Sequence, residues 1–227
     1  MTPESLAAMI DHTNLKPEAV AAAIDRLCEE ALRYGFVAVC VNPIWVARCA
    51  QMLAGSSVRV ASVIGFPLGT SRTETKVDEA RRAIDDGAME IDMVARIGDL
   101  IAGDTSIVRD DIASVVDVVH AASIEHELKV ILETAVLTPD QIIAGCRCAA
   151  EAQADFVKTS TGFHPAGGAT SETVRLLHRY ATPLKVKASG GIRRLSSARA
   201  MIEAGACRIG TSSGPAIIEE LKQAMSY

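Results

Sequence analysis

The stretch Asp155-Phe156-Val157-Lys158-Thr159-Ser160-Thr161-Gly162 reads as a short strand, Asp155 to Ser160, that runs into a turn bounded by Gly162 and Pro165. Side chains alternate along a strand, so Phe156, Lys158 and Ser160 share one face while Val157 and Thr159 share the other. A lysine near the carboxyl end of a short, otherwise buried strand is unusual, because lysine is rarely buried without a partner. Taken alone, it is more simply a strand-end side chain that reaches to water. A second segment weighs against that account. Leu184-Lys185-Val186-Lys187-Ala188-Ser189-Gly190-Gly191 repeats the order strand, lysine, small residues, glycine. Two cations aimed at one site would each lower the other's pKa, and a neutral lysine is an amine nucleophile. One of the pair is therefore a candidate Schiff-base lysine.

Outward from this stretch the chain alternates strand and helix. A short helix over Ser5 to Ile10 precedes a brief first strand, Ile10 to Thr13. Pro17 stands near the first position of a helix over Glu18 to Tyr34, which Gly35 stops. The later strands are Phe36 to Val41, Val58 to Ile64, Met89 to Val94, Leu128 to Leu132, Asp155 to Ser160, Leu184 to Ala188 and Arg208 to Gly210. Between them lie helices that begin at Asn42-Pro43 and run through Leu53, then Thr73 to Asp85, Ile97 to Ile101 with Ile107 to Ala122, and Pro139 to Gln153. Glu172 to Tyr180, Leu195 to Ala204 and Pro215 to Met225 complete the series. Regular alternation with strands this short implies parallel strands buried under helices. Eight such units in about 220 residues predict an α/β fold, a single-domain (β/α)8 barrel with a short N-terminal helix. An open doubly wound sheet is the alternative, but no Gly-x-Gly-x-x-Gly follows the first strand.

Composition narrows the function. The 227 residues are 49% hydrophobic and only 4% aromatic, so the core is aliphatic and alanine-rich. A net charge of −5, with no Lys/Arg cluster, argues against a nucleic-acid surface. It leaves room for an anionic substrate held by local lysines and backbone N–H groups. No apolar run approaches a membrane span, and Thr2-Pro3-Glu4-Ser5 lacks the basic start of a signal peptide. Cys28, Cys40, Cys49, Cys146, Cys148 and Cys207 show no CxxC spacing, and the five histidines form neither HxH nor HExxH. Reduced thiols, a cytoplasmic location and no zinc site are expected. Cys40 reads as a buried structural cysteine rather than a reactive thiol.

Barrel active sites lie at the carboxyl ends of the strands, and phosphate often sits on the loops after strands seven and eight. Strand seven runs into Ser189-Gly190-Gly191, and strand eight into Gly210-Thr211-Ser212-Ser213-Gly214 at the start of the last helix. Strand six adds Thr161-Gly162. Each glycine by itself is an ordinary turn residue, but three adjacent strands ending alike point to a phosphorylated ligand. Parity also makes the barrel interior charged. Glu90 and Asp92 share a face, as do Lys129, Ile131 and Glu133, and as do Lys185 and Lys187. Opposite signs must then be neighbours. The deeper members, Glu90, Lys129 and Lys185, are expected to form a structural network, and Asp92, Lys158 and Lys187, nearer the mouth, to do chemistry.

Val157-Lys158-Thr159-Ser160-Thr161-Gly162 and Lys187-Ala188-Ser189-Gly190-Gly191-Ile192 resemble the two lysine signatures of the 2-deoxyribose-5-phosphate aldolase family. Ile10-Asp11-His12-Thr13-Asn14-Leu15, Ala38-Val39-Cys40-Val41-Asn42-Pro43, Glu90-Ile91-Asp92-Met93-Val94 and Gly210-Thr211-Ser212-Ser213 are similar pieces in the same order. The resemblance implies a class I aldolase without metal or cofactor that reversibly splits 2-deoxyribose 5-phosphate into acetaldehyde and glyceraldehyde 3-phosphate. Its substrates are small phosphosugars and aldehydes, and a homo-oligomer, dimer or tetramer, is expected. By the same likeness Lys158 forms the imine, Lys187 is the second lysine, and Asp92 moves protons with it. Thr161, Gly162, Gly190, Gly191, Gly210, Ser212 and Ser213 fall where the phosphate site lies. Phe163 departs from the basic or polar residue expected after that turn. Another Schiff-base barrel or a phosphosugar isomerase could use the same loops, though enolisation by a general base needs no second lysine; a non-catalytic phosphosugar-binding barrel would need neither. Aldolases resembling this chain can end in a tyrosine that assists enamine protonation; Tyr227 would do so only if the segment after Gln223 is disordered.

Overall fold

The computed structural model describes residues 1–225. The chain begins with α1 (Pro3–Ala7) and β1 (Ile10–Asn14), then α2 (Ala21–Tyr34), β2 (Ala38–Val41), α3 (Val46–Met52), β3 (Arg59–Ile64) and α4 (Thr73–Asp85). Next come β4 (Glu90–Val94), α5 (Ile97–Ala102), α6 (Thr105–Ala122), β5 (Glu127–Ile131), α7 (Pro139–Glu151) and β6 (Phe156–Lys158). The last elements are α8 (Ser171–Tyr180), β7 (Lys185–Ser189), α9 (Leu195–Glu203), β8 (Arg208–Thr211) and α10 (Gly214–Met225). The strands pair in parallel in sequence order, and β8 returns to β1, closing an eight-stranded barrel inside the helices. This is the (β/α)8 fold expected from the alternation.

Strand alternation divides the apolar residues from the polar ones. Val39, Val41, Ile91, Met93, Val130, Val157, Val186 and Ile209 face outward into one continuous core against the helices. Inside the barrel, Cys40, Ala61 and Val63 of β2 and β3 meet Leu15 in a small separate apolar cluster. Asp11, Glu90, Asp92, Lys129, Lys158, Lys187 and Arg208 bring charge to the rest of the interior, with the Phe156 ring against Lys129 and Arg208. The interior is thus apolar on one side and ionic on the other.

Element ends follow local chemistry. Gly35 closes α2 at φ 69°, a left-handed conformation that glycine adopts without a side-chain clash. Thr138 and Thr170 cap α7 and α8 through reciprocal bonds with Gln141 and Thr173. α1 lies over Pro3–Ala7 rather than Ser5 to Ile10, with Thr2 as its cap and Ile10 opening β1. Three other differences from the expectations have a clear local cause. Pro17 does not open α2: the Ala19 N–H donates to the Lys16 carbonyl, so Pro17 and Glu18 are the centre of a turn and the helix starts at Ala21. Asn42-Pro43 lead into a 3-10 turn, Pro43–Trp45, before α3. β6 stops at Lys158, and Thr159 and Ser160 are tied instead to Ser189, with the Thr159 hydroxyl donating to the Ser189 carbonyl at 3.0 Å and the Ser189 hydroxyl donating to the Ser160 carbonyl at 2.6 Å. α10 continues through Met225; Tyr227 lies outside the described residues.

One buried ion pair outside the barrel holds β4 in place. Lys76 of α4 is fully buried and donates to Asp111 of α6 at 2.7 Å and to the Val94 carbonyl at 2.9 Å. Thr73 donates to the other Asp111 oxygen at 2.7 Å. The pair ties two helices to the carboxyl end of the strand that carries Asp92. Removing one member strands a buried charge, so Lys76→Met should destabilise the fold by about 3–5 kcal/mol in denaturant unfolding. Lys76→Met with Asp111→Leu should recover most of that loss, whereas additive losses would show that the pair contributes only packing.

Candidate active site

Lys158 ends β6 at the carboxyl side of the barrel, and its register places it beside Ile131 of β5 and Lys187 of β7. Its Nζ donates to Asp92 Oδ2 at 2.7 Å. Lys187 Nζ donates to the same oxygen, also at 2.7 Å. The three residues singled out for chemistry therefore meet at one carboxylate oxygen. Asp92 and Lys187 are fully buried, and Lys158 is nearly so.

The other Asp92 oxygen, Oδ1, has Lys129 Nζ 3.1 Å away, a charge contact without hydrogen-bond geometry. Burial works against the charged form of Asp92, but Lys129, Lys158 and Lys187 overcome it and hold the carboxyl well below the usual carboxylate range. Lys187 also contacts the carboxylate of Asp11 on β1. Burial would push the Lys187 ammonium down, yet Asp11 and Asp92 hold it above the ordinary lysine value. Lys187 thus stands as a fixed cation next to a fixed anion. Cys40 lies with Sγ 4.0 Å from Asp92 Oδ2, and burial, with Asp92 adding to it, pushes its thiol up to about 11. It is a protonated, enclosed thiol at working pH.

A cleft of about 720 Å³ opens above Lys158. Thr161, Gly162 and Phe163 line it after β6, Ser189, Gly190 and Gly191 at the end of β7, and Gly210, Thr211 and Ser212 at the end of β8. Gly190, at φ 90°, has room for no side chain: a Cβ there would lie 3.0 Å from the Gly168 Cα and 3.3 Å from the Ser160 Cβ. Backbone and hydroxyl groups therefore form this wall. The rest of the lining comes from β1, α2 and the segment between them and is largely polar, with His12, Asn14, Lys16, Arg26 and Glu30 among it. Phe163 lies edge-on to Phe66 at 5.3 Å between ring centres, and Phe66 packs on the cluster that contains Leu15.

Six of the seven residues expected at the phosphate end line the cleft; Ser213 does not, and its N–H is spent on the Thr211 hydroxyl at 2.9 Å. Thr161 lines it with both donors taken, since its N–H and its hydroxyl point to the Glu133 carboxylate. Glu133 follows β5 in a left-handed conformation, φ 55°, beyond the strand that parity had assigned it. Lys185 is a correction as well. It lies at the amino end of β7, more than half exposed, and pairs with Glu127 at 2.8 Å rather than joining Glu90 and Lys129. Arg208 of β8 takes that deep position, bonded to Glu90 and Asp11. Asp11 and Arg208 had not been singled out, although the parity of Asp11 with Thr13 and of Arg208 with Gly210 turns both inward.

Comparison with known proteins identifies the family of the chain. Residues 5–220 match the family described as DeoC/LacD family aldolase. A deoxyribose-phosphate aldolase of Thermococcus gammatolerans is 53% identical over 99% of this chain and 100% of that relative. One from Geobacillus sp. (strain WCH70) is 51% identical over 95% of each. The crystal structure described as a unique tetrameric deoxyribose phosphate aldolase from Aeropyrum pernix superposes with a TM-score of 0.91 at 34% identity, covering 98% of this chain and 93% of that one. The barrel with two lysines on one buried carboxylate belongs to the DeoC/LacD family of aldolases.

Proposed function

We propose that this protein reversibly cleaves 2-deoxy-D-ribose 5-phosphate to acetaldehyde and D-glyceraldehyde 3-phosphate through an imine on Lys158. The meeting of Lys158 and Lys187 on one Asp92 oxygen carries the reading. Of the two lysines, only Lys158 lines the cleft, so it is the amine a substrate reaches. Attack of neutral Lys158 Nζ on the open-chain C1 aldehyde, with uptake of one proton and loss of water, forms the iminium, which draws electrons from the C2–C3 bond. Asp92 takes the proton of the C3 hydroxyl, directly or through water, as that bond breaks. The electron pair moves into an enamine on Lys158, and glyceraldehyde 3-phosphate departs. Protonation of the enamine carbon and hydrolysis then release acetaldehyde and return the amine. The Lys187 ammonium supplies fixed positive charge beside Asp92 throughout, which favours ionised Asp92 before it accepts the proton.

The phosphate belongs, in this reading, at the wall of Gly162, Gly190, Gly191, Gly210 and Ser212, close to the start of α10, whose first turn favours an anion. Thr161 shapes that wall through Glu133, and Ser213 supports the turn below it. We read the whole chain as one catalytic domain and expect a cytoplasmic homo-oligomer, in keeping with its six free cysteines and with the tetrameric description of the Aeropyrum pernix relative. No helix of the described residues is long and apolar enough to cross a membrane.

Borohydride reduction in the presence of acetaldehyde, followed by peptide mapping, should place a two-carbon adduct on Lys158. Lys158→Arg should lose both the adduct and turnover, by on the order of 10³-fold or more, because a guanidinium stays protonated. Turnover retained above a trace would remove Lys158 from the role. Asp92→Asn should still be trapped while cleavage slows by roughly 10²–10⁴-fold, the usual contribution of a positioned base. Ser212→Asp should raise KM for the phosphorylated substrate about tenfold or more through like-charge repulsion and leave KM for free 2-deoxyribose nearly unchanged. Equal effects on both substrates would move the phosphate elsewhere.

A further inference from the structure

Three carboxylates and three cations inside the barrel form a closed ring of alternating charge. Asp92 meets Lys129 at 3.1 Å, Lys129 meets Glu90 at 2.5 Å, and Glu90 meets Arg208 at 2.9 Å. Arg208 meets Asp11 at 2.6 Å, Asp11 contacts Lys187, and Lys187 returns to Asp92 at 2.7 Å. Five strands contribute, and the ring sums to zero charge. Lys158 hangs from it through Asp92 as a seventh charged group, one cation beyond balance.

Arg208 is the corner of this ring farthest from chemistry by contact. It does not line the cleft, and it touches neither Asp92 nor Lys158 in any ion pair or hydrogen bond. Its surroundings are Asp11 on β1, Glu90 on β4, Glu127 of β5 at 3.7 Å, the Phe156 ring of β6 at 5.6 Å, and Lys187 at the paired position of β7. Arg59 of β3 shares Glu90 and Glu127 with it, and β2 brings only aliphatic side chains and Cys40 to the interior. A guanidinium fits this corner for two reasons. Its fork reaches Asp11 with one nitrogen and Glu90 with both. It also keeps its proton at any working pH, so the charge of the ring cannot change there.

We propose that Arg208 is a positioning residue for the aldol cleavage: by closing the ring it holds the Asp11 carboxylate on Lys187 and so fixes the Lys187 ammonium beside Asp92. The proposal rests on Lys158 being the reacting amine. It makes the ring's charge, rather than any one contact, the quantity that governs the amine's proton. Without Arg208 the ring carries one negative charge in excess, and a protonated amine is what would neutralise it. Without the Glu90 charge the ring is one positive charge in excess, which favours the neutral amine.

The test is the pH profile of kcat/KM for cleavage in a charge-compensation series, with borohydride trapping run on every variant. Arg208→Met should move the acid limb up by ~1 pH unit, and Glu90→Gln should move it down by a similar amount, the size expected of one nearby buried charge. The Arg208→Met/Glu90→Gln pair, with a neutral ring of two carboxylates and two lysines, should return the limb to the wild-type position. Arg208→Lys, which keeps the charge and loses the fork, should hold the limb in place while lowering kcat. If Arg208→Met does not fold, a downward shift in Glu90→Gln together with an unmoved limb and lowered kcat in Arg208→Lys supports the proposal, and an unmoved limb in Glu90→Gln overturns it. A packing role predicts no opposed shifts and additive losses in the double variant, and that outcome would overturn the proposal. Absence of a trapped adduct at Lys158 in the wild type would instead defeat the reading it rests on.

Discussion

Charge cannot sit unbalanced inside a closed barrel, and most of this site follows from that. Moving an ion from water into protein costs several kcal/mol even after relaxation, so each interior cation needs a carboxylate within contact distance. Asp11, Glu90 and Asp92 supply three, and each bridges two or more cations. The bridging locks the geometry, because turning one carboxylate would break contacts on two strands at once. Apolar side chains of the same volume would fill the space at no greater cost. The ring is therefore better understood as a means of holding Asp92 and Lys187 in fixed charge states than as a source of stability.

The ionic half of the interior works only because the other half is dry. Cys40, Ala61 and Val63 give β2 and β3 no polar atom that could compete for Asp92, apart from a thiol that keeps its proton. Leu15 and Phe66 extend this apolar surface to the mouth, where Phe163 meets Phe66. An amine at Lys158 thus faces a fixed anion below and the cleft above, whose wall at the ends of β6, β7 and β8 is built largely of glycine backbone. Phe163 stands where a basic or polar residue is expected, and its ring turns to Phe66 instead.

Much of the fold was legible because it depends on short-range rules. Short apolar segments between helical patterns marked the later strands, Ile10 to Thr13 completed the count of eight, and the glycines at the ends of β6, β7 and β8 marked the mouth. Parity placed Glu90, Asp92, Lys129, Lys158 and Lys187 inward, which needs only a period of two. The same rule turned Lys185 inward without saying how deep it would lie. At the amino end of β7 an inward direction opens to water, so Lys185 pairs with Glu127 at the rim. Pro17 was misplaced for a local reason too, since proline suits both the first turn of a helix and the second position of a β-turn.

The order of strands, the inward faces and the two lysines were decided by the amino-acid sequence alone, since periodicity and turn chemistry act over a few residues. Which charges touch was decided only by closure of the barrel. Asp11 and Arg208 are 197 positions apart and become neighbours because β8 returns to β1, a pairing that no local pattern encodes. Glu133 reaches Thr161 only because its backbone leaves the strand in a left-handed turn. Strand parity says where a side chain points. The stagger and closure of the barrel decide what it meets there, and the chemistry of this site is set by those meetings.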